Sequence, residues 1–420
     1  MYARRTEALI TQKLEDSMYR SSSIIGEVIR RIRLEKNYTQ NTLSKGLCSV
    51  SYLSKLENGR IIPKNNTIQR ISERLDIDST YLQAHLDASA FIREVIVFFF
   101  YEDIEELGNT IERTKHFEDD TVRSMLKLSL YASQGKWHDA KRKIASLEPH
   151  VGTMTHRMLE LFLMLSCVTA YEIQDYKTAL ALSDTLNTMD EKCHEIEVLH
   201  KLYKAYICYA MGKSISAEYY GNLAHRYLEK HQSLKRLVTL ELYRLHYSMK
   251  ENKAVGKALL EKIDVELALN VYPSMAHFIF GHAYYLLGDY KAAIGHFTKV
   301  LKLPKDQWYA RCVIGILKIT KKDSKLYRRI RGLMLTNAVE ENSLKEKVWF
   351  TQYDERVDSD RKRYIMSIAL PLAKQTHDLE ALDEYTEWLI QYAKKNARYK
   401  EALSSYQQRK KYVAKLRDRL

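Results

Sequence analysis

A four-residue phrase recurs along this chain, and its spacing limits the fold more than any other feature. It reads WHDA at 137–140, YKTA at 176–179, YKAA at 290–293 and YKEA at 399–402, with weaker copies SISA at 214–217 and VGKA at 255–258. The steps between the first five in chain order are 39, 38, 41 and 35 residues, and Tyr290 to Tyr399 is 109, close to three further steps. A period of this size means one small unit repeated and stacked, each copy burying a face it cannot bury alone. Composition says what the unit is made of. Only 14 Gly and 5 Pro occur in 420 residues, too few for a turn-rich β protein, so the expected fold class is all-α.

The clearest unit is SMAHFIFGHAYYLLGDYKAAIGHFTKVLKLP at 274–304. Gly281, Tyr284, Gly288, Tyr290, Ala293, Phe297 and Pro304 resemble the tetratricopeptide (TPR) pattern. Small residues at Gly281 and Ala293 allow two antiparallel helices to approach. Phe297 and Val300 are expected to pack on the next unit, and Tyr290 to start the second helix and plug the hairpin. Tyr290, Trp137, Tyr176 and Tyr399 are accordingly assigned to packing. The resemblance implies a right-handed superhelix with a concave inner face lined by first helices. Alignment to the clear unit puts Tyr171, Tyr206, Tyr209, Tyr243, Tyr247, His282 and Tyr285 inward, with Arg244 nearby. Tyrosine offers rigid contact area with a polar tip, which suits an extended peptide. No asparagine takes these positions.

The N-terminal part reads differently. Ile25, Ile29 and Ile32 in residues 24–37 form one apolar helical stripe. Thr39 is an N-cap for a second helix, QNTLSKGL, with Leu43 and Leu47 on its core side. After a very short turn, Ser49 caps a third helix, VSYLSKLEN, with Leu53 and Leu56 inward and Gly59 as its stop. Thr67 is expected to cap a fourth, carrying Ile68, Ile71 and Leu75. Two short helices joined by a tight turn inside a bundle match the helix-turn-helix, whose second helix of the pair enters the DNA major groove. Its outward residues are Val50, Ser51, Tyr52 and Lys55: Val50 can meet a thymine methyl, Ser51 and Lys55 can bond to base edges. Gln40 and Ser49 at helix starts, with Asn58, Arg60 and Lys64 beyond, are placed to hold the phosphate backbone.

TQNTLSKGLCSVSYLSKLENGRIIP resembles the helix-turn-helix of the Cro/repressor (XRE) family, from about Ile25 to Leu82. The resemblance implies that Arg33 pairs with Glu57. The shortened turn with Cys48 resembles the Gram-positive peptide-sensing regulators grouped as Rap, Rgg, NprR, PlcR and PrgX (RRNPP). What that implies is a DNA-binding transcriptional regulator, a homodimer on an operator, whose array senses a short signalling peptide in quorum sensing. The expected domains are an N-terminal extension at 1–23, the head at 24–82, connecting helices at 83–130 with AFIREVIVFFFY, and the array at 131–420. The array's length is nearer to NprR-type members, which also bind a phosphorelay protein, than to PlcR-type ones. Two alternatives stay open: a Rap-like scaffold that binds or inhibits a response regulator, and a phage receptor deciding lysis against lysogeny.

Charge agrees with an acidic partner. The net charge is +14, with ten Lys/Arg against four Asp/Glu at 24–75 and ten against two at 394–420. Cys48, Cys167, Cys193, Cys208 and Cys312 form no CxxC pair and no zinc spacing, the pattern of reduced core cysteines in a cytoplasmic protein. No apolar leader is visible, and VIVFFFY at 95–101 is too short to span a bilayer. EDIEE at 102–106 reads as a solvated face. No P-loop, GxSxG, HExxH or supported carboxylate pair occurs, so the reading contains no enzyme, no cofactor and no metal.

Overall fold

The structure, a computed structural model, describes residues 24–58, 61, 63–77, 91–113, 120–189, 192–321, 324–336 and 358–418. The extension at 1–23, Gly59 and Arg60 lie outside these residues. All regular structure among the described residues is helical. The chain divides into two compact units, 1–207 and 208–420.

The first unit opens with four helices: α1 (Ile24–Glu35), α2 (Gln40–Ser44), α3 (Val50–Glu57) and α4 (Asn65–Leu75). Ile29, Ile32, Leu43, Leu53, Leu56, Ile68, Ile71 and Leu75 are buried together. Thr39 and Ser49 cap α2 and α3, accepting from the backbone N–H of Thr42 and Tyr52 at 3.0 Å each. Two details depart from the sequence reading. Helix α2 stops at Ser44 and not Leu47, because Gly46 takes φ +74° and turns the chain toward α3. Thr67 is no cap: its N–H already bonds to Lys64 O at 2.8 Å, and α4 starts two residues before it, just after Pro63. Helix α1 crosses α3 where Gly26 leaves room; a Cβ there would stand 2.0 Å from Leu56 O.

Beyond the head the phrases open helices, as the repeat predicts. Trp137–Leu147, Tyr176–Thr188, Ser214–Lys230, Tyr290–Val300 and Tyr399–Asp418 all begin on one. The fourth residue is the buried one: Ala140, Ala179, Ala217, Ala293 and Ala402 face the partner helix. VGKA is out of register. Its helix begins at Lys253 and the small buried residue is Gly256, where a Cβ would meet Met249 Sδ at 2.3 Å. The assignment of the phrase aromatics to packing needs correction. Tyr176 is buried against Tyr171, but Trp137 is half-buried and Tyr290 and Tyr399 are exposed. Cα–Cβ bonds tilt toward a helix N-terminus, so a first-residue ring projects past the helix end unless another residue covers it.

In the second unit the described hairpins are α13 (Leu234–Glu251) with α14 (Lys253–Lys262), α16 (Pro273–Leu287) with α17 (Tyr290–Val300), α18 (Gln307–Ile319) with α19 (Lys325–Thr336), and α22 (Leu379–Lys395) with α23 (Tyr399–Asp418). Phe297 of α17 lies between two glycines. A Cβ at Gly281 of α16 or Gly315 of α18 would come within 2.7 Å of its ring. The ring therefore joins its own hairpin to the next.

Candidate functional site

In the head, three side chains hold α1, α2 and α3 in register. Arg33 Nε and Nη2 donate to the two Glu57 carboxylate oxygens at 2.6 and 3.0 Å, and Nη1 donates to Tyr38 O at 2.6 Å. Glu57 is fully buried, and Gln40 Nε2 adds a third bond to it at 2.8 Å. So the pair expected from family resemblance is present, and Gln40 turns its amide inward onto it. The turn between α2 and α3 is held from α4: Arg70 donates to Gly46 O at 2.7 Å and Arg74 to Lys45 O at 3.2 Å. Those two arginines carry no sequence signal, since they act across more than twenty residues. Cys48 in the turn is half-buried, and burial raises its thiol above the ordinary range.

With that frame fixed, Ser49, Val50, Ser51 and Lys55 stand exposed on one side of α3, with Tyr52 and Asn58 half-buried beside them. Asn58 Nδ2 donates to Ser54 Oγ at 3.4 Å. Lys64 is exposed at the start of α4. Of the nine residues predicted to meet DNA, Gln40 bonds inward to the buried Glu57, Ser49 and Asn58 bond within α3, and Arg60 lies outside the described residues.

The second unit holds a cavity of about 500 Å³. Its aromatic side is built from α13, α16 and the end of the helix His194–Ala210. Tyr209 and Tyr247 stack with centroids 5.2 Å apart and planes 5° from parallel. Phe278 stacks on His282 at 6.0 Å, and Tyr285 follows His282 at 6.2 Å. Burial, with Lys250 nearby, holds His282 down to about 3, so its ring is neutral at physiological pH. Its Nδ1 is buried and makes no hydrogen bond within the described residues. The Arg311 guanidinium lies 5.0 Å over Trp308 and 5.9 Å over Phe278. Opposite stand Leu379, Glu380, Asp383 and Glu384 of α22 and Arg409 and Val413 of α23.

Four of the eight residues predicted to face a peptide therefore line one cavity: Tyr209, Tyr247, His282 and Tyr285. Arg244 and Tyr243 do not. Arg244 is engaged by Glu218 at 2.9 Å and Glu241 at 3.1 Å, and Tyr243 packs on the core of its hairpin. Tyr171 and Tyr206 do not line it either. They belong to the first unit, where both are buried in an aromatic cluster with Tyr203 and Tyr176, ring centroids 5.4–5.8 Å apart. Their partners sit on neighbouring helices, so the rings fill the space between helices. The eight charged members, Lys250, Glu251, Arg311, Lys318, Glu380, Asp383, Glu384 and Arg409, were missed by the sequence reading. Their one local signal is stride: Lys250 follows Tyr247 by three residues, and Lys318 follows Arg311 by seven.

A helix-turn-helix family model matches residues 29–82. Over 60 residues, 14% of this chain and 67% of the relative, the chain is 37% identical to the ImmF control region 10 kDa protein of Bacillus phage phi105. The solved Rap protein complexed with Competence and Sporulation Factor superposes with a TM-score of 0.62 at 14% identity, over 80% of this chain and 99% of that one. The apo form of the quorum sensor NprR from B. thuringiensis gives 0.50 at 13% identity, over 79% and 98%. At these identities the likeness establishes the fold. Head and hairpins together define an all-α helix-turn-helix protein with a TPR-like array. The chain belongs to the helix-turn-helix proteins of the XRE type, and with that head it carries the helical-hairpin fold seen in the solved Rap and NprR structures. No helix among the described residues is long and apolar enough to cross a membrane.

Proposed function

We propose that this chain is a transcriptional regulator whose head binds operator DNA as a homodimer and whose array receives a short signalling peptide. The observation that carries this reading is the coexistence, in one chain, of an exposed α3 side bearing Ser51, Tyr52 and Lys55 and an aromatic cavity bearing Tyr209, Tyr247, His282 and Tyr285. Base-edge contacts by Ser51 and Lys55 give sequence choice, while Ser49, Asn58, Arg60 and Lys64 hold the backbone. Stacked tyrosines and a neutral histidine suit peptide side chains and amides. Residues 83–130 connect head and array, and peptide binding alters operator affinity through a coupling between the two sites.

The test is duplex DNA from the chain's own promoter region, titrated at low salt with and without candidate peptides. Lys55→Ala is expected to lose specific DNA binding while array-dependent binding persists. A chain that ignores duplex DNA under every condition sinks the reading. One observation favours a variant of it: the 37% identity of the head to a phage control-region protein supports a phage-type decision between lysis and lysogeny. A retained partner interaction with a response regulator, unaffected by Lys55→Ala and independent of DNA, would point to the Rap-like scaffold instead.

A further inference from the structure

The cavity is bridged by ion pairs. Lys250 Nζ, at the end of α13, donates to Glu380 Oε1 at 2.7 Å, and Lys318 Nζ, at the end of α18, donates to Glu384 Oε1 at 2.6 Å. Both glutamates sit on the first turns of α22, four residues apart and so on one face. All four residues line the cavity, and all four side chains are 25–37% exposed. Helices α13 and α18 thus offer two cations beside an aromatic floor, Lys250 and Lys318, and the chain's own carboxylates occupy both. Behind them lies the unpartnered Nδ1 of His282. Half-exposed pairs of this kind are weak, so a competitor in the cavity can displace them. The first turn of α22 is also closely seated: a Cβ on Gly212 would lie 3.2 Å from Leu379 Cδ1.

We infer that Glu380 and Glu384 act as an internal stand-in for the ligand, and that the ligand is a peptide carrying carboxylates, which takes Lys250 and Lys318 from them and releases the start of α22 from α13 and α18. The inference rests on the peptide-receptor reading and adds the charge of the ligand and the contact it breaks. Two carboxylates are required, a glutamate or aspartate side chain and the C-terminal carboxylate being sufficient. The neutral imidazole of His282 then meets a peptide amide, and aromatic or apolar residues cover the Tyr209–Tyr247 stack.

The experiment uses the full chain and three fluorescein-labelled hexapeptide libraries of matched apolar content. One is acidic with free C-termini, one neutral and amidated, and one basic and amidated. The acidic set is expected to bind best. The variant Glu380→Gln/Glu384→Gln should bind it roughly fivefold more tightly, because two weak competing pairs are gone. Lys250→Met/Lys318→Met should lose it. The charge-reversed variant Lys250→Glu/Lys318→Glu/Glu380→Lys/Glu384→Lys keeps the pairs and should prefer the basic set. Hydrogen exchange over residues 379–395 should quicken in the glutamine variant without any peptide. Binding of the neutral or basic set by the unaltered chain, or an affinity unmoved by the glutamine changes, overturns the inference and leaves the receptor reading standing. Binding of none of the sets by any variant overturns both.

Discussion

Arg33 and Glu57 show how one pair of residues can set a whole surface. Burying two charges is costly, and the cost is offset here by four directed hydrogen bonds, with Gln40 and Tyr38 O completing the set. Arg33→Met leaves the Glu57 carboxylate buried without its cation. Loss of about 3–5 kcal/mol of head stability is expected, read as faster hydrogen exchange across α1, α2 and α3. Exchange that stays slow would contradict this. A second residue sets a pH dependence. His200 is buried, shares a 3.0 Å hydrogen bond with Ser183 Oγ and lies 2.9 Å from Ser183 O, and burial holds it at about 4 against an ordinary 6.5. Between those values the unfolded chain binds a proton that the folded chain refuses. Stability is therefore complete above pH 6.5 and falls as pH drops, by about 1.4 kcal/mol per unit until pH 4. The depressed His246, His277, His282 and His296 add to the same fall, so denaturation at pH 7, 6 and 5 should show at least this slope, and His200→Gln should reduce it by one proton.

At the scale of elements, the hairpins depend on volume more than on charge. Phe297 fills the gap that Gly281 and Gly315 leave on two different helices. Phe297→Ala is expected to cost about 3–5 kcal/mol in the second unit, and Gly315→Ala about 1–3 kcal/mol by overpacking, both measured by chemical denaturation. An unchanged midpoint for Gly315→Ala would mean the ring can move aside. Gly281 and Phe297 were legible from the tetratricopeptide-like pattern of the clear unit, whereas Gly315 on the next hairpin was found only in the structure. The caps Thr39 and Ser49 were legible because each bonds to a backbone N–H within its own first turn, and the structure adds Asp175 and Asp289, which cap the helices opening on YKTA and YKAA in the same way. Thr67 and Leu47 were misread where a proline and a left-handed glycine moved the boundary by two or three residues.

For the whole molecule, the proposed DNA binding by a chain of net charge +14 carries a salt dependence. Affinity should fall linearly with the logarithm of salt concentration. Lys64→Ala, removing an exposed cation proposed to meet phosphate, is expected to weaken all duplexes alike and to lower the salt slope by about one. Lys55→Ala should instead cost about 1–3 kcal/mol on the specific site and relax its sequence preference. Equal effects of the two changes on slope and specificity would reassign Lys55 to the backbone.

The amino-acid sequence by itself determined the helical class, the repeat phrase, the head and the exposed side of α3. Those follow from periodicity, capping and composition, which act within a turn or a few turns of chain. The tertiary structure alone decided which tyrosines line a cavity and which fill the core, because Tyr171 and Tyr209 look alike locally and differ only in what packs over them. It also decided the contacts between Lys250 and Glu380 and between Lys318 and Glu384, which join residues 130 and 66 positions apart. No pattern along the chain specifies pairs at that separation; the stacking of hairpins brings them together.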